Sequence, residues 1–240
     1  MSRVFSAMVI AVLSAVPTLA GDVIGDVTEP DIIAPQSSTQ DASAFYLGVS
    51  GGYASGGSDE FGLRTAGGLF SIGDVSPNGA YGGIRGGWRG ILPARVGRDF
   101  VYGVEVGYDF GTLDDSSSTV IMGIPVTAGS SISDVLSVRL RSGLRNRNSS
   151  ILYFGTIGYV QGDIMTSASI TGGGAFQVQD RRNGFSASLG AEHQLNKNWS
   201  ITGEIEYVQF ESRTIDLGGG FSTKSTPSFT GLRFGLNYTF

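Results

Sequence analysis

From Ala44 to Phe240 apolar and polar residues alternate in segments of period two, the signature of strands with two unlike faces. Eight such segments are legible. Phe45, Leu47, Val49 and Tyr53 alternate with Tyr46, Gly48, Ser50 and Gly52, and Ile84 and Trp88 with Arg85 and Arg89. Phe100, Tyr102, Val104, Val106, Tyr108 and Phe110 face away from Val101, Gly103, Glu105, Gly107 and Asp109. Leu136, Val138, Leu140 and Leu144 oppose Ser137, Arg139, Arg141 and Arg145. The fifth segment, Ile151–Gln161, is apolar on both faces, so its register is unreadable. Phe185, Ala187, Leu189 and Ala191 oppose Ser186, Ser188, Gly190 and Glu192. Trp199, Ile201, Ile205 and Tyr207 oppose Ser200, Thr202, Glu204 and Glu206, and Leu232, Phe234, Leu236, Tyr238 and Phe240 oppose Gly231, Arg233, Gly235, Asn237 and Thr239.

The connections alternate in length. Long ones span 54–79, 111–133, 163–183 and 211–228; short ones span 92–98, 146–150 and 194–198. Segments of about 9–12 residues cross an apolar layer when tilted, and alternating long loops and short turns mark transmembrane barrels. The predicted fold is all-β, an eight-stranded antiparallel transmembrane β-barrel with long extracellular loops and short periplasmic turns. An even strand number puts both termini on the short-turn, periplasmic side.

Side-chain volume decides which face points inward. The interior of an eight-stranded barrel is only wide enough for side chains to fill it. The apolar face carries Trp88, Phe100, Tyr102, Tyr108, Phe110, Trp199 and Tyr207, too bulky a set for that lumen. The polar face is mostly Gly, Ser and Thr with a few long charged residues, which fits. The apolar face therefore points outward to lipid. The seven aromatics gather at strand ends, as an aromatic girdle at two membrane interfaces requires.

Charge sharpens the inward face. The chain holds 16 Lys+Arg and 21 Asp+Glu for a net charge of −5. Residues 1–20 read as a secretory signal, with Arg3, an apolar run from Val4 to Val16, then Pro17 and small residues. Residues 21–43 read as a disordered acidic leader with Asp22, Asp26, Glu29, Asp31 and Asp41 and no base. The barrel, residues 44–240, keeps 15 bases against 16 acids. Its inward charges are Arg85, Arg89, Glu105, Asp109, Arg139, Arg141, Glu192, Glu204, Glu206 and Arg233. Opposite signs meet on several neighbouring strands, and buried charges need partners. These ten are expected to form a network that plugs the lumen, or alternatively to line a narrow channel for small solutes.

Glycine is abundant at 38 residues and charge is scarce at 15%. With no Cys, one His and two Lys, no disulfide, zinc or thiol site and no basic nucleic-acid surface is expected. No cofactor, metal ligand set or catalytic residue is read.

Two stretches carry a family resemblance. The chain closes on Arg233, Gly235, Tyr238 and Phe240, which resembles the assembly signal of bacterial outer-membrane proteins. Around Gly190-Ala191-Glu192-His193, the turn Asn198-Trp199-Ser200 and Glu206-Tyr207, residues 185–210 resemble the penultimate hairpin of the small OmpA/OmpX-type barrels, especially the porin-like outer-membrane proteins of alpha-proteobacteria. His193 stands where Tyr is usual, and Glu206 is a second departure. The resemblance covers about residues 44–240. It implies an integral protein of the Gram-negative outer membrane, with a structural role in envelope integrity or adhesion through its loops. The partners it implies are outer-membrane lipid and lipopolysaccharide, the barrel-assembly machinery, and an extracellular ligand at the loops. Some barrels of this size modify lipid A with Ser and His. Here His193 is the sole His, position 195 is Leu, and an interfacial His is the simpler reading.

Overall fold

The computed structural model describes residues 43–57, 59–65, 68–93, 98–121, 123–146, 148–172, 174–218 and 221–240. The expected signal (1–20), nearly all of the expected leader (21–43) and residues 94–97 of one short turn lie outside them. The described residues form twelve strands: β1 (Ser43–Gly56), β2 (Asp59–Thr65), β3 (Gly68–Val75), β4 (Asn78–Pro93), β5 (Asp99–Ile121), β6 (Ile124–Arg145), β7 (Ile151–Ile170), β8 (Ala175–Gln194), β9 (Trp199–Phe210), β10 (Arg213–Gly218), β11 (Phe221–Ser225) and β12 (Ser228–Thr239). Eight of them close a ring in the order β1-β12-β9-β8-β7-β6-β5-β4, and every neighbouring pair is antiparallel. These eight contain the eight alternating segments.

The outer wall is apolar because its alternate side chains have nowhere to go but out. Leu47, Val49, Ile84, Val106, Leu140, Ile157, Leu189, Ile205 and Phe234 are all exposed, Leu189 to 75%. A soluble domain leaves no such continuous belt uncovered. In β7, whose register the sequence left open, Tyr153, Ile157 and Tyr159 point out while Leu152, Phe154, Thr156 and Val160 are buried.

Strand length departs from expectation. About 9–11 residues cross the apolar layer, yet β5 has 23 residues, β6 has 22, and β7 and β8 have 20 each. The expected loops at 111–133 and 163–183 are therefore largely strand. The other two long connections contain β2–β3 and β10–β11, which pair into a second sheet of order β10-β11-β2-β3. The physical reason is that the Ser-, Thr- and Gly-rich extensions have little apolar contrast, so their period is weak. Val75 and Ile215 of the second sheet pack with Val126, Ala128 and Ala168 of the extended wall, with Phe176 and Val178 against them.

Two β-bulges mark where the wall leaves the ring. The β5–β6 register shifts between Asp109 and Thr112, and the β6–β7 register between Ser133 and Leu136. Gly111 (φ +141°) and Asp134 (φ +52°) take the positive-φ conformations that this kink requires. Asp is among the few non-Gly residues that tolerate this region. Its carboxylate also accepts a hydrogen bond from the Tyr108 hydroxyl at 2.8 Å.

Candidate functional site: the charged lumen and its apolar lid

The inward parity of six strands brings ten charged side chains into one lumen. Arg85, Arg89, Glu105, Asp109, Arg139, Arg141, Glu192, Glu204, Glu206 and Arg233 are all buried, none more than 8% exposed. Five guanidinium groups face five carboxylates, so the cluster is balanced.

Nearest the short turns, Glu192 on β8 accepts hydrogen bonds from Arg89 Nη1 (2.9 Å), Arg141 Nη2 (2.6 Å) and Ser200 Oγ (2.6 Å). Arg89 lies on β4, four strands from β8 round the ring, so this contact spans the lumen. Arg89 also donates to Thr239 Oγ1 at 2.8 Å. One level further in, Glu105 accepts from the Tyr46 hydroxyl at 2.8 Å and lies within 3.9 Å of Arg85, Arg139 and Arg141. Glu204 lies 3.5 Å from Arg85, 3.4 Å from Arg139 and 3.4 Å from Arg233. The deepest group sets Arg233 between Asp109 (2.8 Å) and Glu206, and Glu206 also accepts from the Tyr81 hydroxyl at 2.7 Å. Neighbouring strands supply some of these pairs, as their sequence implies. Arg89–Glu192, Arg85–Glu204 and Arg233–Asp109 join strands that do not touch.

Aromatic faces complete the cluster. Arg141 lies 3.7 Å over the Phe154 ring, Arg233 lies 5.1 Å over Tyr81, and Arg89 and Arg141 flank Tyr46 at 5.7 and 6.0 Å. A guanidinium is weakly hydrated and stacks well on rings, which suits it to a confined site. Gly231 makes room here, since a Cβ on it would sit 2.9 Å from the Tyr81 hydroxyl. Arg145, also read as inward, is half-buried at the short-turn mouth, with no carboxylate within 4 Å among the described residues.

Above the charges the lumen turns apolar. Ala54, Tyr81, Leu113, Ile132, Val135, Val160, Ile164, Val208, Phe210 and Phe229 form one buried cluster toward the long-hairpin end. Sequence reading missed this layer and Tyr81. Parity pointed to both: Tyr81 shares a face with Arg85, Phe229 with Arg233, and Phe210 with Glu206. Phe154 carried no such signal, because its strand is apolar on both faces. Past the lid, Arg182 is buried beneath the second sheet and donates to the Ser225 carbonyl at 3.2 Å.

The other sequence-read residues lie on the outer wall. At the short-turn end Trp88 meets Tyr102 edge-on at 5.7 Å, and Phe100 stacks on Tyr102 at 6.4 Å. Trp199, Tyr238 and Phe240 form a T-shaped chain with steps of 5.1 and 5.2 Å. At the opposite end lie Tyr108, Phe110 and Tyr207, with Tyr207 6.1 Å from Phe185. Tyrosines there donate to polar groups at the rim: Tyr53 to Asn78 (2.9 Å), Tyr159 to Asn183 (2.6 Å) and Tyr207 to Gln209 (3.1 Å). Of the terminal motif, Arg233 is in the lumen, Gly235 shares its face, and Tyr238 and Phe240 belong to the girdle. His193 is exposed on the outer wall between Ile151 and Ile201. Among the described residues no three His, Asp or Glu side chains are grouped to hold a metal ion.

Comparison with known proteins agrees with this architecture. A 31 kDa outer-membrane immunogenic protein of Brucella melitensis is 27% identical over 247 aligned positions, covering 96% of this chain and 97% of the relative. The same protein of Brucella suis matches equally. Among solved structures, the outer-membrane protein OprG of Pseudomonas aeruginosa aligns with 13% identity over 82% of this chain and 97% of its own, with a TM-score of 0.47. Neisserial surface protein A aligns with 12% identity over 82% of this chain and 99% of its own, with a TM-score of 0.41. The model of the outer membrane protein beta-barrel domain matches residues 32–240. The chain therefore belongs to the outer-membrane protein β-barrel domain family and resides in the bacterial outer membrane.

Proposed function

We propose that this protein is a structural and surface-presenting barrel whose lumen does not conduct. The short turns and both termini face the periplasm, and the extended hairpins project outward. Its role is to anchor in the outer membrane and hold the β5–β8 extension and the second sheet at the cell surface, for envelope integrity or adhesion. One observation carries this reading: two unlike layers follow one another along the lumen, the balanced Arg–carboxylate network and the apolar cluster around Phe210 and Phe229. A hydrated ion faces the apolar layer after the charged one, and desolvating it there is expensive. The non-enzymatic reading is supported by His193, which sits on the lipid-facing wall between two isoleucines.

Conductance of the purified full chain in planar bilayers tests the proposal. Silence at physiological salt is expected. Stable single-channel steps of uniform size would overturn it in favour of a small-solute porin. Release of fatty acid from labelled lipid A, lost in His193→Ala, would overturn the non-enzymatic part.

A further inference from the structure

Charge is unevenly divided between the two ends of the barrel. Residues 92–99, 145–150 and 194–198, the short turns and their flanks, hold Arg95, Arg98, Arg145, Arg147 and Lys197 against Asp99 alone. Among the described residues, Arg145 and Lys197 meet at a cavity of about 330 Å³ in the short-turn mouth. Arg89 and Ile91 of β4, Ser149 and Gln194 line it with them, and no acidic side chain does. Phe240 also borders it, and its terminal carboxylate lies beyond 4 Å of every described cation.

The cation that lacks compensation is Arg145. It is half-buried, with no carboxylate within 4 Å among the described residues. Asp99 and Glu192 attract it only from farther off, and Arg89 repels it. Glu192 is already held by Arg89 (2.9 Å), Arg141 and Ser200 (2.6 Å each). Partly desolvating a guanidinium without an anion is costly, and a second cation beside it adds to the cost. An oxyanion entering the cavity relieves both. The planar guanidinium matches two oxygens of a carboxylate or phosphate. Ser149 is placed to add a hydroxyl. It holds φ +54° on a turn tied by Asn146, whose carbonyl accepts from Ser149 N (2.9 Å) and whose side-chain oxygen accepts from Ser150 N (2.9 Å) and Ile151 N (3.1 Å). Ile91 packs with Val101, Leu152 and Phe154 and gives the cavity an apolar wall. A liquid water takes about 30 Å³, so the cavity admits more than a bare ion. Arg89 and Arg145 stand at inward positions, out of reach of headgroups in the surrounding bilayer.

We propose that the short-turn mouth is a binding site for a small organic oxyanion. Arg145 receives its carboxylate or phosphate, Lys197 and the Ser149 hydroxyl add donors, and Ile91 takes the uncharged body. This chemistry is independent of which side of the membrane the mouth faces and of whether the lumen conducts.

The test uses the full chain folded in an uncharged detergent, followed by NMR of the Arg145 guanidinium and the Ser149 amide. Four probes are titrated: inorganic phosphate, succinate, and an N-acetylated apolar tripeptide as its free acid and as its amide. Saturable shifts of both groups are expected with at least one acidic probe and none with the amide, and affinity falls several-fold as salt rises. A response to phosphate identifies a phosphate ligand, to succinate a free small acid, and to the peptide acid a chain-terminal carboxylate; each supports the site. Arg145→Gln is expected to weaken binding by about tenfold or more, with Arg145→Lys in between. Lys197→Gln, on an exposed turn, weakens it several-fold, and Arg181→Gln at the opposite end leaves it unchanged. Absence of saturation with every acidic probe overturns the proposal. So does unchanged affinity in Arg145→Gln, or in Lys197→Gln where the former does not fold.

Discussion

Arg139 is the hub of the lumen network and its removal is the sharpest test of what holds the barrel together. Its guanidinium is buried and lies 3.9 Å from Glu105, 3.6 Å from Asp109, 3.4 Å from Glu204 and 3.5 Å from Glu206. Arg139→Met keeps the linear side chain and deletes the charge, leaving four guanidinium groups against five buried carboxylates. Removing one partner of a buried pair costs about 3–5 kcal/mol, because the remaining charge is desolvated without compensation. That is a large part of the roughly 5–15 kcal/mol that stabilises a domain. Adding Glu204→Gln restores four against four with a side chain of the same shape. Charge balance then predicts that the double variant is more stable than the sum of the two single losses, by at least about 1 kcal/mol of coupling. Urea unfolding in lipid vesicles measures this, with Trp88 and Trp199 as fluorescent reporters and gel mobility as a second probe. A loss below about 1 kcal/mol for Arg139→Met, or strict additivity in the double variant, would refute the account of a compensated buried network.

Three further outcomes follow from local geometry. On β7, Gly158→Ala places a Cβ 2.4 Å from the Val138 carbonyl oxygen and 2.8 Å from Arg139 Cα, so overpacking destabilises by about 1–3 kcal/mol. Gly155→Ala on the lipid face meets Leu189 at 3.4 Å and changes stability by less than about 0.5 kcal/mol; urea midpoints for the two separate them. At the bulge, Asp134→Val forces a β-branched residue to φ +52° and removes the Tyr108 acceptor, costing about 1–2 kcal/mol or more, whereas Asp134→Asn stays near the parent. Outside the membrane span, the hydrogen bond from Arg181 holds the Asp163 carboxyl below the usual Asp range. Its contribution is present above the unfolded-state value and is lost as pH falls through the lower folded value. Carbon-13 NMR titration of Asp163 checks this, with Arg181→Gln expected to move the midpoint back up.

Much of the ring was legible because its signals are local to single strands. Alternation in β5, β9 and β12 assigned each side chain to one face, and the bulk of Trp88, Phe100 and Tyr108 showed which face had to be outward. The same parity placed all ten charged residues in one compartment. Parity stops where contrast stops: β7 is apolar on both sides, and the Ser-rich extensions of β5–β8 are polar on most positions. The second sheet was unreadable for a further reason. β2 pairs with β11 through Leu63–Thr223 and Arg64–Ser222, strands far apart in sequence that no local pattern joins.

The sequence by itself determined that eight strands close into a barrel with lipid outside and a balanced set of charges inside. Only the tertiary structure decided which charges meet. Arg89 finds Glu192, and Arg233 finds Asp109, across a lumen whose width and shear exist only in the closed ring. The apolar lid over those pairs was likewise decided there. Phe210, Phe229 and Tyr81 come from three strands, and closure alone turns three unremarked inward positions into one apolar layer.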